Sequence, residues 1–309
     1  MLLFAAGCTA SFTYNRLDWL IPWWVDDYVD LTRDQRRELR TQLEPALRWH
    51  REEELNRYAA ILDRIEADLE SGVTPHDVRD WLDDIIAAAE RAEARMLEVA
   101  LDFGDSVTDE QVAQFMRRIW ERQAEYESQY LERSDAEYEE DNADYLVESF
   151  NRLLGRLNDE QKAQLRSAAA TLKRFDNAWL AERAKWLGDL EPLMQRGAGW
   201  ERAVRDLYAD RIEWRTPEYR EVLDHNIGVL SEAVAELLYS IDNKQRDHLL
   251  DKIEDLRRTI KKLEAGKHRS ARHFGNPADP WESRLTSVDS ARQVVQAASG
   301  WQGTRIGPA

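Results

Sequence analysis

Four times along this chain an aliphatic residue is followed by a short polar residue, two further residues and a glutamine. The copies are Leu31-Thr32-Arg33-Asp34-Gln35, Val107-Thr108-Asp109-Glu110-Gln111, Leu157-Asn158-Asp159-Glu160-Gln161 and Ile241-Asp242-Asn243-Lys244-Gln245. A short polar side chain just before a helix accepts a hydrogen bond from the amide three residues on, and glutamine at that position reaches back to the cap amide. Each copy therefore marks a helix start, and the two threonine copies read as full capping boxes. The preceding aliphatic residue can pack against the first turn. Two more starts place proline at the first helical position after a threonine cap, at Thr74-Pro75 and Thr216-Pro217. Stops are expected at Gly72, around Gly104, at Gly155, between Gly197 and Gly199, and at Gly266.

Between these marks the apolar residues step by threes and fours. One series runs Val78, Leu82, Ile85, Ala89, Ala92, Met96, Val99; another runs Leu249, Ile253, Leu256, Ile260, Leu263. Leu55, Tyr58, Leu62, Ile65, Leu69 and Leu165, Ala168, Leu172, Phe175, Trp179 repeat the spacing. Such narrow seams are buried when helices pack nearly antiparallel, so the expected fold is all-α, an elongated antiparallel helical bundle of about six to eight helices with no sheet. Pro45 is expected to kink or interrupt the first of these helices. The helix starting at Thr108 can run to about Leu154 if it bends at Ser134-Asp135.

The formal net charge of -17 repels phosphate backbones, which excludes nucleic acid as an expected partner. Cys8 is the single cysteine, so no internal disulfide can form and stability has to come from packing. No stretch approaches the roughly 20 apolar residues that span a bilayer. The histidines His50, His76, His225, His248, His268 and His273 lack a Glu three residues before them, and no His-Glu-x-x-His occurs, so no metal and no cofactor is expected. No Gly-x-Ser-x-Gly, phosphate-binding glycine loop or dinucleotide fingerprint is present, and with 60 acidic residues a pair such as Asp83-Asp84 carries almost no information. No catalytic residue is expected.

Met1 to Gly7 read as the remnant of a secretion signal, an apolar run followed by small residues. Ala5-Ala6-Gly7-Cys8 resembles a bacterial lipobox, which implies a diacylglycerol on Cys8, cleavage after Gly7 and acylation of the new amino group. Thr9 in place of Asp after the cysteine implies, by the same resemblance, the outer membrane, with the chain on its periplasmic side. From Tyr14 the sequence continues Tyr-Asn-Arg-Leu-Asp-Trp-Leu-Ile-Pro-Trp-Trp-Val-Asp-Asp-Tyr-Val-Asp-Leu-Thr-Arg-Asp-Gln35. This resembles a family of uncharacterised proteobacterial lipoproteins, similar as far as about Gly266, and implies a location and a fold class without a reaction. The repeated Leu-Thr-x-x-Gln element is also similar to that of small periplasmic stress chaperones of the Spy and CpxP type. Those are helical cradles with basic concave surfaces, whereas this chain is long and acidic.

The expected organisation is a signal remnant over 1–7, an acylated aromatic segment over 8–30, a helical bundle over 31–266 and a mostly disordered tail over 267–309 with a short helix near Val288 to Ala298. Tyr14, Arg16, Trp19, Pro22, Trp23, Trp24, Asp26, Asp27, Tyr28, Thr32 and Gln35 form the candidate interaction or packing motif. Pro22 is expected to turn the aromatic segment so that its rings pack across the bundle, because Asp18, Asp26, Asp27 and Asp30 oppose an anionic membrane surface. The functional expectation is a protein-binding or chaperone-like module, with the membrane as partner through the lipid and an envelope protein as client. The alternatives are an enzyme acting on an envelope polymer and a passive scaffold. An exposed apolar groove would distinguish the first, and buried carboxylates converging in a cleft the second.

Overall fold

The computed structural model describes residues 13–211 and 215–265. Among them there are eleven α-helical segments and no strand. In chain order they are α1 (Leu17–Asp26), α2 (Arg33–Trp49), α3 (Leu55–Ser71), α4 (Pro75–Gly104), α5 (Asp109–Leu131), α6 (Asp135–Leu154), α7 (Asp159–Thr171), α8 (Asp176–Leu193), α9 (Trp200–Asp210), α10 (Pro217–Tyr239) and α11 (Asn243–Ala265). A π-helical turn, His50–Glu54, joins α2 to α3 without a break, so the segments make ten rods, slightly more than expected.

All six starts read from the sequence are helix starts. Thr32, Thr74, Thr108 and Asn158 close full capping boxes. Asp242 does the same with Gln245, its carboxylate accepting from the Gln245 amide while its own amide donates to Gln245 Oε1. Thr216 accepts from the Tyr219 amide. At Ser134 the expected bend is a complete break, because Ser134 and Glu137 form a further capping box that starts α6 afresh. The seam expected to run from Leu165 to Trp179 is likewise divided. Here α7 ends at Thr171, Leu172 is extended, and α8 starts at Asp176. Gly72 and Gly155 follow their helices at positive φ, as a stop requires, and Gly199, also at positive φ, precedes α9.

Pro45 does not interrupt its helix. It lies exposed within α2, where its ring meets solvent, and the irregularity comes five residues later as the π turn. There the Leu55 amide donates to the His50 carbonyl, five residues back, and the extra residue brings Glu54 and Leu55, neighbours in sequence, both into the interior. The rod from Arg33 to Ser71 runs antiparallel to α4, with contacts from Gln42 to Asp102, Glu54 to Arg91, Arg64 to Asp84 and Asp68 to Trp81. At 1.5 Å per residue α4 is about 45 Å long. The hairpin of α10 and α11 lies on this pair, α10 against α4 and α11 against α3, and Arg257 on α11 reaches Asp63 and Glu66 on α3. Around these four helices α6 and α7 cover one side, while α1, α2 and α5 gather at the end where Val29, Leu31, Leu39, Leu43 and Phe103 pack.

Candidate functional site

Two regions combine the sequence-singled residues with unusual chemistry: the strap of residues 13–30 with its seat, and an open groove between α5 and α8. Cys8 lies outside the described residues, as do the tail from 267 onward and Trp214.

The strap begins at Tyr14, which is buried among Leu55, Ile260 and Leu263, with Leu17 and Tyr58 beside it. Its hydroxyl is 2.8 Å from His50 Nδ1, and His50 Nε2 is 3.1 Å from the Tyr58 hydroxyl. A neutral imidazole has one donor and one acceptor, and this chain of two hydroxyls satisfies both. Burial holds the imidazole pKa down at about 4, against 6.5 for a free histidine. Burial also pushes the Tyr14 hydroxyl up to about 12. Behind the imidazole, Glu54 has a side chain with no exposure at all, and its carboxylate accepts from Arg91 at 2.8 and 2.9 Å and from Arg57 at 2.6 Å. The π turn completes this arrangement: at roughly 100° per residue Glu54, eleven residues on from Leu43, already falls on the buried face, and the extra residue brings Leu55 in beside it. Nothing in the local sequence distinguishes Glu54 among 60 acids. The available signal is a slip of register between Leu43 and Leu55, twelve residues apart, which a regular helix would set roughly 120° apart.

The rest of the strap is not a turn. Pro22 is buried inside α1 as its sixth residue, where it has no N–H to give the Asp18 carbonyl, yet the helix continues, so the expected turn at Pro22 is replaced by a helix laid along α2. Trp19 and Trp24 are half-buried and Trp23 is 39% exposed, so the rings pack across the bundle only in part. Arg16 is exposed at the start of α1. Asp26 shapes the turn into α2, accepting from Arg36 at 2.7 and 3.1 Å and from the Leu31 amide at 3.2 Å. Asp27 faces solvent, and the Tyr28 ring lies 6.3 Å from Phe115 on α5.

Thr32 and Gln35 belong to a device that sequence reading found only by halves. Gln35 Nε2 donates to Gln111 Oε1 at 2.8 Å and to the Ser106 carbonyl at 2.7 Å. Gln111 Nε2 returns both bonds, to Gln35 Oε1 at 2.9 Å and to the Asp30 carbonyl at 2.7 Å. The second pair repeats the pattern: Gln161 and Gln245 bond reciprocally at 3.0 and 2.9 Å and reach the Ser240 and Arg156 carbonyls at 3.3 and 3.1 Å. In all four cases the carbonyl stands five residues before the partner glutamine. Each glutamine thus closes its own cap with its oxygen and ties two helix starts together with its nitrogen. These two Gln clasps join α2 to α5 and α7 to α11.

The groove between α5 and α8 has a volume of about 500 Å³. Val112 and Met116 form a buried floor, Trp120 and Met194 are half-buried walls, and Asp109, Arg117 and Glu191 stand around them. The Trp120 indole donates to Glu191 at 3.2 Å, which fixes the ring across the two helices. The far wall is pinned by Arg196, a non-glycine residue at φ +55, whose guanidinium donates at 2.6 Å to both the Gly104 and Val107 carbonyls and also pairs with Asp109. Methionine and tryptophan together make a surface that adapts to varied apolar side chains.

An all-helical bundle with an N-terminal strap locked to its core, tied at its helix starts by paired glutamines, is the class that fold and site define. The chain belongs to DUF6279, a family of unknown function, which matches residues 27–220. The match covers the last four residues of the strap, the first Gln clasp and the groove. Nothing among curated proteins or solved structures matches the chain.

Proposed function

We propose that this protein is a protein-binding, chaperone-like module of the bacterial envelope, held to the periplasmic side of the outer membrane by acyl chains on Cys8. The single observation that carries the binding reading is the groove between α5 and α8, where the half-buried Met194 and Trp120 stand over a floor of Val112 and Met116. Its natural occupant is an apolar side chain of an extended or helical segment with basic residues around it, because the net charge of -17 attracts cations over the whole surface. Tyr14, six residues beyond Cys8, is fixed to the bundle, so the arm to a lipid on Cys8 spans at most about 20 Å. A short arm keeps the groove near the membrane, where newly exported or partly unfolded chains pass.

The binding test uses fluorescence anisotropy with labelled amphipathic peptides, one basic and one acidic, of equal apolar content. The basic peptide is expected to bind, more weakly at high salt, and Met116→Glu to reduce its affinity at least tenfold. Equal affinity of Met116→Glu and the parent protein, with both folded by circular dichroism, would refute the groove as the site. The tether is tested separately by mass spectrometry of the N-terminal peptide from native envelopes, where an unmodified Cys8 would end that part of the proposal.

A further inference from the structure

The seat of Tyr14 contains a histidine, whose protonation burial and Arg51 oppose and the Glu54 carboxylate only partly favours. His50 is flanked by the Tyr14 hydroxyl from the strap and the Tyr58 hydroxyl from α3, both within hydrogen-bond distance. The π turn presents Glu54 and Arg51, with Arg51 also lying 5.4 Å from the centre of the Tyr14 ring. Arg57 and Arg91 approach from α3 and α4, and α11 adds only the apolar Ile260 and Leu263 to the packing around Tyr14. Glu54 is the buried carboxylate here, and Arg57 and Arg91 already engage its oxygens. An imidazolium would be a further cation among three guanidiniums and one carboxylate that is fully committed. It would also lose its hydration without a new anionic partner.

We propose that Tyr14 is an acid-released latch: in neutral surroundings it holds the chain ahead of α1 on the bundle, and protonation of His50 frees that segment. Release does not require α1 to leave α2, because Leu20, Pro22, Val25 and Val29 hold the later part of the strap. Its consequence, a longer arm between Cys8 and the groove, rests on the tether reading above. The release itself does not. A histidine held at about 4 when latched, and returning toward the ordinary 6.5 once the strap has left, weakens the latch by up to tenfold for each pH unit between those values, at most about 300-fold in all.

Hydrogen exchange read by mass spectrometry on the full chain tests this, with rates corrected for the intrinsic effect of pH. Between pH 7.5 and pH 4.5 the protection of residues 13–19 is expected to fall by up to about seventyfold while residues 249–263 of α11 keep theirs. In His50→Gln, whose amide retains one donor and one acceptor but cannot be protonated, protection of 13–19 is expected to stay level. A parent protein that keeps its protection to pH 4.5, or a His50→Gln variant that loses it equally, overturns the latch. Should His50→Gln fail to fold by circular dichroism, Tyr14→Phe takes its place. Without the hydroxyl the segment is expected to open roughly fivefold more at pH 7.5 and, because the ring still buries His50, to keep a response to falling pH. Opening of Tyr14→Phe equal to that of the parent protein at pH 7.5, or protection that it keeps to pH 4.5, also overturns the proposal. Mass spectrometry of Cys8 stands apart from these outcomes, so failure of the tether and failure of the latch are distinguishable.

Discussion

The two Gln clasps make identical hydrogen bonds at different depths, which turns them into a controlled comparison of what burial adds. Gln161 and Gln245 are 1% and 6% exposed, whereas Gln35 is 9% exposed and Gln111 lies half-buried. Replacing Gln245 by Leu removes its cap bond to the Asp242 amide, its bond to the Arg156 carbonyl and both bonds with Gln161. At a net value of about 1 kcal/mol for each bond, offset by the apolar gain of leucine, the loss is about 2–4 kcal/mol, and the stranded Gln161 amide lies at the upper end of that range. Gln161→Leu is expected to cost about the same. The double replacement leaves no stranded amide, so it is expected to cost about 2 kcal/mol less than the two singles added together. For Gln35 and Gln111 water can replace part of the partner, and each single loss is expected to be about half as large. Urea unfolding followed by circular dichroism and tryptophan fluorescence measures all five variants, with attention to the slope of the transition. Additive singles in the buried clasp, or equal penalties in both clasps, would refute the claim that reciprocal amide bonding under burial sets the cost.

Other expectations follow from single contacts. A Cβ on Gly104 would come within 2.5 Å of the Trp200 ring, so Gly104→Ala is expected to lose about 1–3 kcal/mol and to loosen α9, read as increased hydrogen exchange over Trp200–Asp210. Arg91→Leu leaves the buried Glu54 with Arg57 alone and is expected to cost about 3–5 kcal/mol, most of which Glu54→Leu in the same chain should recover; a double variant no better than Arg91→Leu would contradict this. The Asp77 carboxylate is held below its usual range by the Thr74 hydroxyl and amide, so its folded form binds a proton less readily than the unfolded form. The α4 cap therefore contributes fully above the ordinary aspartate range and fades as pH falls through the lowered value. Asp77→Asn is expected to flatten that part of the stability profile between pH 5 and 2 and to lower stability at pH 7, where the carboxylate's contribution is complete, so that the two profiles converge in acid.

Much of the helical plan was legible because its signals are local. Caps at Thr32, Thr74, Thr108, Asn158, Thr216 and Asp242 satisfy amides within three residues, so sequence spacing alone encodes them. Ser134 is the same kind of signal, with Glu in place of Gln at the third position, and its capping box could have been read as a new start rather than a bend. The break between α7 and α8 was harder, since an apolar seam continues across it and Phe175 caps α8 without a side-chain bond. The π turn left only a slip in the buried register, and Pro45, the loudest local signal nearby, pointed to the wrong place because its ring faces solvent.

Of the candidate motif, Thr32 and Gln35 were placed correctly at a helix start, but their partners lie 71 and 76 residues away from Gln35. Tyr14 was read as a packing ring, and its hydrogen bond to His50 across 36 residues was not visible. Glu54 and Asp176 are both buried and held by arginines, but among 60 acidic residues no spacing rule picks them out. Sequence by itself determined where helices start and that they bury narrow stripes, because a cap and a stripe are properties of neighbours along one rod. Tertiary structure alone decided which glutamines meet, which carboxylate is stripped of water and which methionines share a groove. Those depend on how separate rods are set against one another, and desolvation acts only once that arrangement exists.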